Sequence, residues 1–369
     1  MAGLEVGDAG AVIEETLSKD PIESRAWARA IDVSEEAVDL YRSCEVIDLH
    51  VDTPVPMRLV GYDPVKRHRV RLAGTPLMNQ VDLPRIREAC LGGAVWDIAT
   101  NPLRRKENRP RIAAENLRRQ EALFERFPND FELVGSGVEY RRAREAGRTA
   151  IWLSIQGGQA LDRDLRAIDE IRGNRLHRVT LVHLTPSRIG VPSNFSRRAA
   201  EGLTNFGRDF VAALDERGIV VDLAHINRRG FFDAIDAHDR SIPLIVSHTG
   251  VQGVLPHWRN IDDEQIRAVA DTGGTIGIIF HRSFISPRGV PCTAARIVDH
   301  IEHAIEIAGE DHVSLGSDFD GCIVLPLDLV DVTWLPRLVQ SMLNRRWSEE
   351  RIAKVLGTNY LRIVEAIGR

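Results

Sequence analysis

Residues able to hold a metal ion or move a proton recur in this sequence at the ends of short apolar runs. The segment "DLHVDT" offers His50 and Asp52, two residues apart. On a strand that spacing puts both on one face, and imidazole with carboxylate is a donor pair suited to a divalent cation such as Zn2+. Alone, the pair is more simply a structural contact. Two further histidines, His225 in "VVDLAH" and His248 in "LIVSH", close their own apolar runs at equivalent depth, and "GSDFDG" adds Asp318 and Asp320. The four segments together point to a metal site, with one of the two aspartates as ligand or general base, or with the pair capping a loop. His183, ending "TLVHL", is open to three roles: orienting a ligand, touching substrate, or structure alone. Arg259 in "HWRN" has the fork geometry to hold a substrate carboxylate, although a solvated arginine is the simpler reading.

These positions need a scaffold that brings strand ends together. Eight β-rich runs alternate with amphipathic stretches: "EVIDLHV", "GGAVWDIAT", "TAIWLSIQ", "HRVTLVHL", "GIVVDLAH", "PLIVSHT", "GTIGIIFH" and "HVSLGSDFD". Between them lie helical patterns such as "ENLRRQEALFERF", "NFGRDFVAALDERG", "DDEQIRAVADTGG" and "AARIVDHIEHAIEIAG". Eight βα units predict an α/β fold of the closed (β/α)8 TIM-barrel type over residues 46–369, whose C-terminal face would collect the polar strand ends. Residues 1–45 read as an N-terminal helical extension, in "AVIEETL", "ESRAWARAI" and "SEEAVDLYRS", the last capped by Ser34. The final stretch, "WSEERIAKVLGTNYLRIVEAIG", supplies closing helices.

A net charge of −5 gives no electrostatic reason to expect nucleic acid or an anionic membrane as partner. The run "RRKENRPR" from Arg104 reads as a solvated loop or helix start. Four widely spaced cysteines form no CxxC pair. The acidic N-terminus lacks the basic and apolar regions of a secretory signal, and no run reaches the roughly 18 apolar residues of a membrane span. A soluble cytoplasmic protein acting on a small molecule is therefore expected.

With those residues assembled, the chain resembles the renal or membrane dipeptidase family of zinc peptidases, a branch of the amidohydrolase-like barrels. The likeness runs from about Val46 to the C-terminus through "IDLHVDTP", "GLTNFGRDFVAALDERGIVVDLAH", "VSHTG" with "RNIDDE", "LGSDFDG" and "LGTNYLRIVEAI". It implies a metal-dependent hydrolase of a dipeptide or related N-acyl amino acid. His50 and Asp52 would bind one zinc, His225 and His248 a second, and a carboxylate ending the third predicted strand would bridge them. His183 would polarise the substrate carbonyl, Arg259 would bind the free carboxylate, and Asp318 would handle protons. A homodimer rests on the likeness alone.

Two positions depart from the family pattern. In "SIQGGQ" the bridging carboxylate is replaced by Gln156, an amide with one neutral carbonyl oxygen. Two Zn2+ with Asp52, a hydroxide and a bridging carboxylate leave about +1, and an amide in its place leaves about +2, a costly excess in a partly buried site. One metal is expected to be weakened or lost. The alternatives are a silent barrel that binds a carboxylated molecule, or a one-metal enzyme with different chemistry. In "GIIFHRSF", His281 stands where the dipeptidases carry a substrate-contacting tyrosine, so it tunes substrate choice, adds a ligand, or merely packs.

Overall fold

The computed structural model describes residues 23–68, 77–101, 104–172 and 175–367. Among them are nine strands: β1 (Ile47–Val51), β2 (Gly93–Ala99), β3 (Phe131–Leu133), β4 (Thr149–Gln156), β5 (Leu176–Thr180), β6 (Val220–Asp222), β7 (Ile245–Thr249), β8 (Thr275–Ile278) and β9 (Val313–Leu315). β1 pairs with β2 and β9, and β2 also pairs with β4, so eight parallel strands close in the ring order β1-β2-β4-β5-β6-β7-β8-β9. This is the (β/α)8 barrel that the eight apolar runs predict. β3 is additional. It pairs with the first residues of β4, on the edge that β5 reaches from Leu153 onward, and three residues are too few to show a strand period in sequence.

Local signals set the surrounding helices. Helix Asn205–Glu216 begins where Thr204 accepts from the Gly207 amide, and helix Asp263–Asp271 begins at a capping box made by Asp262 and Gln265. The segment "AVIEETL" lies outside the described residues. Helices α1 (Ser24–Ile31) and α2 (Glu35–Ser43) follow it, and Ser34 caps α2 by accepting from the Ala37 amide. Both are joined to the barrel's main core. Trp27 packs edge-on against Tyr41, and their polar ends reach the backbone carbonyls of Thr333 and Ala89.

The barrel interior is layered. Val95, Trp152, Val220 and Ile245 belong to one apolar cluster with Tyr360 and Ile363 of the C-terminal helix Asn359–Ile367. Two residues further along the same strands, and so on the same face, come Asp97, Ser154, Asp222 and Ser247. All four are fully buried. The apolar floor thus carries a polar layer towards the strands' C-terminal ends. Several strands stop earlier than their sequence runs suggest. β5, β6 and β9 end at Thr180, Asp222 and Leu315, so His183, His225 and Asp318 are presented by the turns that follow.

Two glycines let β7 approach its neighbours where the β7–β8 register is irregular. A Cβ on Gly277 would lie 2.0 Å from the Ser247 carbonyl oxygen, and one on Gly316 would lie 1.8 Å from it. Either clash pushes on the residue before His248. Gly316→Ala should therefore lose roughly 1–3 kcal/mol of stability through overpacking, read from denaturant unfolding; an unchanged midpoint would show that this contact is not tight.

Candidate metal centre

At the C-terminal end of the barrel the side chains of His50, Asp52, Gln156, His225, His248 and Asp318 converge. His225 Nε2 and His248 Nε2 are 2.9 Å apart. Gln156 Nε2 lies 3.1 Å from His50 Nε2 and 3.4 Å from His225 Nε2. His50 Nε2 is 3.6 Å from Asp52 Oδ1 and 3.7 Å from Asp318 Oδ1. Ligand atoms of His50, His248 and Asp318 all fall within 4.8 Å of one another. His50 and His248 stack with ring centroids 3.9 Å apart.

The donor chemistry of this group fits a divalent cation. Three imidazole nitrogens face a common point, and the buried Asp52 Oδ1 and Gln156 Oε1 have no hydrogen-bond partner. The two ends of an amide are distinguished by their partners alone, so turning Gln156 over would aim Oε1 at the ring nitrogens. Backbone strain accompanies the convergence. His225 and Asp318 hold left-handed conformations, φ 68° and 64°, which non-glycine residues adopt rarely and which cluster at functional sites. Asp318 is fixed by its amide donating to the His50 carbonyl, and Phe319 next to it pairs with Val51, so the turn after β9 continues along β1.

A second set of residues, overlooked in sequence, aims the imidazoles. Asp97 Oδ2 is 2.9 Å from His50 Nδ1 and takes its N–H, which turns Nε2 towards the centre. Ser247 Oγ stands 2.8 Å from His248 Nδ1 and donates to Asp222 Oδ2 at 2.7 Å, so a hydroxyl relays the same instruction to His248. Arg178 joins the two carboxylates. Its guanidinium is hydrogen-bonded to Asp97 and Ser154 and lies 3.6 Å from Asp222. The available signal was a charge inside each of three apolar runs, "GAVWDIA", "LHRVT" and "VVD".

Electrostatics follow from that arrangement. Burial pushes the Asp97 carboxyl up, but Arg178 and His50 outweigh it and hold Asp97 well below the usual carboxylate range. Burial also disfavours the His50 cation, yet Asp97 and Asp52 prevail and push its pKa up to about 10. His225 and His248 are driven well below the ordinary imidazole value by burial and nearby positive charge, so both are neutral with lone pairs available. Burial raises Asp318 well above the carboxylate range.

The centre forms the floor of a cavity of about 570 Å3. Arg259 lies in its wall, donating through Nη2 to the His248 carbonyl at 2.7 Å while Nε has no partner. His183 lines it as well, and loss of hydration together with the His50 charge pushes its pKa down to about 3. His281 is on the wall too, but its Nδ1 accepts from the Val324 amide at 3.2 Å, apart from the converging ligands. Asp320 does not share a strand face with Asp318. β9 has ended, both residues have positive φ, and Asp320 is a staple that accepts from Thr53 Oγ1 and the Gln80 amide at 2.7 Å each. Among the described residues no helix is long and apolar enough to cross a membrane.

Comparison with known proteins agrees with this architecture. The model of the membrane dipeptidases, peptidase family M19, matches residues 34–369. The solved dipeptidase AC, a metallo peptidase, is 26% identical with a TM-score of 0.75, covering 87% of this chain and 98% of its own. A Rhodobacter sphaeroides metallo peptidase, liganded with a phosphinate mimic of the dipeptide L-Ala-D-Ala, is 24% identical with a TM-score of 0.77, covering 87% and 98%. The probable dipeptidase PvdM of Pseudomonas aeruginosa is 18% identical with a TM-score of 0.79, covering 92% and 98%.

Asp97→Asn keeps the shape of the carboxylate but lets an amide donate to His50 Nδ1, favouring the tautomer whose proton faces the centre. The variant is expected to bind Zn2+ roughly 10- to 100-fold more weakly, measured by competition with a chromophoric chelator. Unchanged affinity would mean that Asp97 does not set the tautomer.

Proposed function

The chain belongs to the membrane dipeptidase family, and from that membership we propose that it is a metal-dependent hydrolase cleaving a dipeptide or a related small N-acyl amino acid. The observation that carries this reading is the convergence of three imidazoles, Asp52, Gln156 and Asp318 on the floor of a cavity whose wall holds Arg259. The dipeptide mimic held by the Rhodobacter sphaeroides relative is the precedent for the substrate class. Zinc is the cation that the imidazole and carboxylate donors favour; when bound it would supply Lewis acidity and a water of lowered pKa.

The protein's own groups divide the remaining work. Arg259, anchored through one nitrogen, presents its guanidinium edge to the substrate's terminal carboxylate and fixes which amide lies over the floor. His183 is neutral, so it donates a hydrogen bond to the carbonyl oxygen as that oxygen gains negative charge, without surrendering a proton. Asp318 takes a proton from the attacking water and returns it to the leaving amine, a task suited to a carboxyl whose pKa burial raises above the usual carboxylate range. Cleavage of a dipeptide panel with added Zn2+ and loss of turnover after chelation are the expected results. Folded protein inert under every metal condition would instead make the barrel a binder of carboxylated small molecules.

Gln156 favours a single cation over a pair. Asp52 offers its carboxylate charge to one divalent cation, and a neutral amide at 156 adds nothing to offset a second. Gln156→Glu should accordingly raise metal content from about one to about two ions per chain, measured by elemental analysis of protein purified without chelators. Equal content in both proteins would reject the one-metal reading.

A further inference from the structure

The basic run "RRKENRPR" is not wholly solvated. It forms the turn after β2 and the start of helix Arg109–Glu125, and Arg104 and Arg109 line a small crevice together with Arg58, Thr100 and Asn101. Arg58, Thr100 and Asn101 also line the cavity above the metal centre, so the crevice opens off its mouth. Arg58 and Arg104 have no acidic hydrogen-bond or ion-pair partner among the described residues; the charge of Asp52 acts on Arg58 from a distance, and so, in the opposite sense, does that of Arg104. Arg67 with Glu88 and Arg217 with Asp169 show the carboxylate pairing that these two lack. Two neighbouring guanidinium groups that no carboxylate contacts are an arrangement that a bound anion relieves.

Ring order gives this anion its place. Arg104 follows β2 and Arg259 follows β7, which stand on opposite sides of the eight-strand ring, while Arg58 follows β1 beside β2. A substrate whose terminal carboxylate sits on Arg259 and whose scissile amide lies over the floor therefore directs its acyl portion towards Arg58 and Arg104. Resting on the hydrolase reading above for that orientation, we propose that Arg58 and Arg104 form an anion subsite that selects substrates carrying a second carboxylate on the acyl side of the scissile amide. The substrate class narrows to dianionic dipeptides or dicarboxylic N-acyl amino acids.

Glu-Ala and Gln-Ala are nearly isosteric and differ in this one charge, so the pair isolates the subsite. The intact protein should show kcat/KM for Glu-Ala roughly 10-fold above that for Gln-Ala, and the ratio should fall to about 1 in the Arg58→Ala/Arg104→Ala double variant. Both side chains are exposed, so folding is not at stake. A ratio near 1 in the unaltered protein, or a ratio that survives the double substitution, overturns the proposal. If neither peptide is cleaved, the dipeptide panel decides the hydrolase reading, and the subsite is judged by calorimetric titration of the same two peptides. Tighter binding of Glu-Ala that the double variant abolishes sustains it; equal binding, or none, ends it.

Discussion

The guanidinium of Arg178 is fully buried inside the barrel, and the two carboxylates it holds, Asp97 and Asp222, orient two of the three converging imidazoles. Removing one partner from such a network leaves an uncompensated charge in a medium that solvates it poorly, at a cost of about 3–5 kcal/mol. The network is thus a constraint before it is a stabiliser. Every strand that contributes to it must keep its register, because a slip of one residue would turn the charge out of the interior and an apolar side chain in.

That constraint explains the layering of the barrel. The apolar floor of Val95, Trp152, Val220 and Ile245, closed by Tyr360 and Ile363, excludes water from below. The polar layer above satisfies itself internally, with Thr180 and Ser247 hydroxyls both donating to Asp222. The strained turns at His225 and Asp318 are carried on that foundation, where hydrogen bonds such as that from the Asp318 amide to the His50 carbonyl hold conformations that an isolated turn would abandon. Chemistry therefore sits on turns, while precision comes from the strands beneath them.

Gln156 stands where this design meets its electrostatic limit. Two of the three imidazoles are already oriented by Asp97 and by the Ser247–Asp222 relay, so the architecture of the centre does not depend on a carboxylate at position 156. What the amide changes is the charge that the arrangement can balance. Geometry and charge capacity are separable here, because hydrogen bonds from outside the centre set the first and the converging side chains themselves set the second.

How much of this was legible in the sequence follows the range of the signal. Alternation of apolar runs with amphipathic helices specified the closed barrel, since a period of two or of 3.6 is written in consecutive residues. His50, Asp52, His225, His248 and Asp318 were legible because each closes an apolar run, and Ser34 because a cap acts within three residues. β3 was not, being three residues long. Nor was the shared role of Asp97, Arg178, Asp222 and Ser247, although each sits conspicuously in or beside an apolar strand. Asp320, alike in sequence to Asp318, became a loop staple because positive φ values in the turn after β9 aim the two side chains differently. The sequence by itself determined the elements and the residue types at their ends. Which of those ends share a proton, a charge or a cavity wall was decided by closure of the ring, because only closure brings β2 and β5 to the imidazole of β1 and sets Arg104 across the mouth from Arg259.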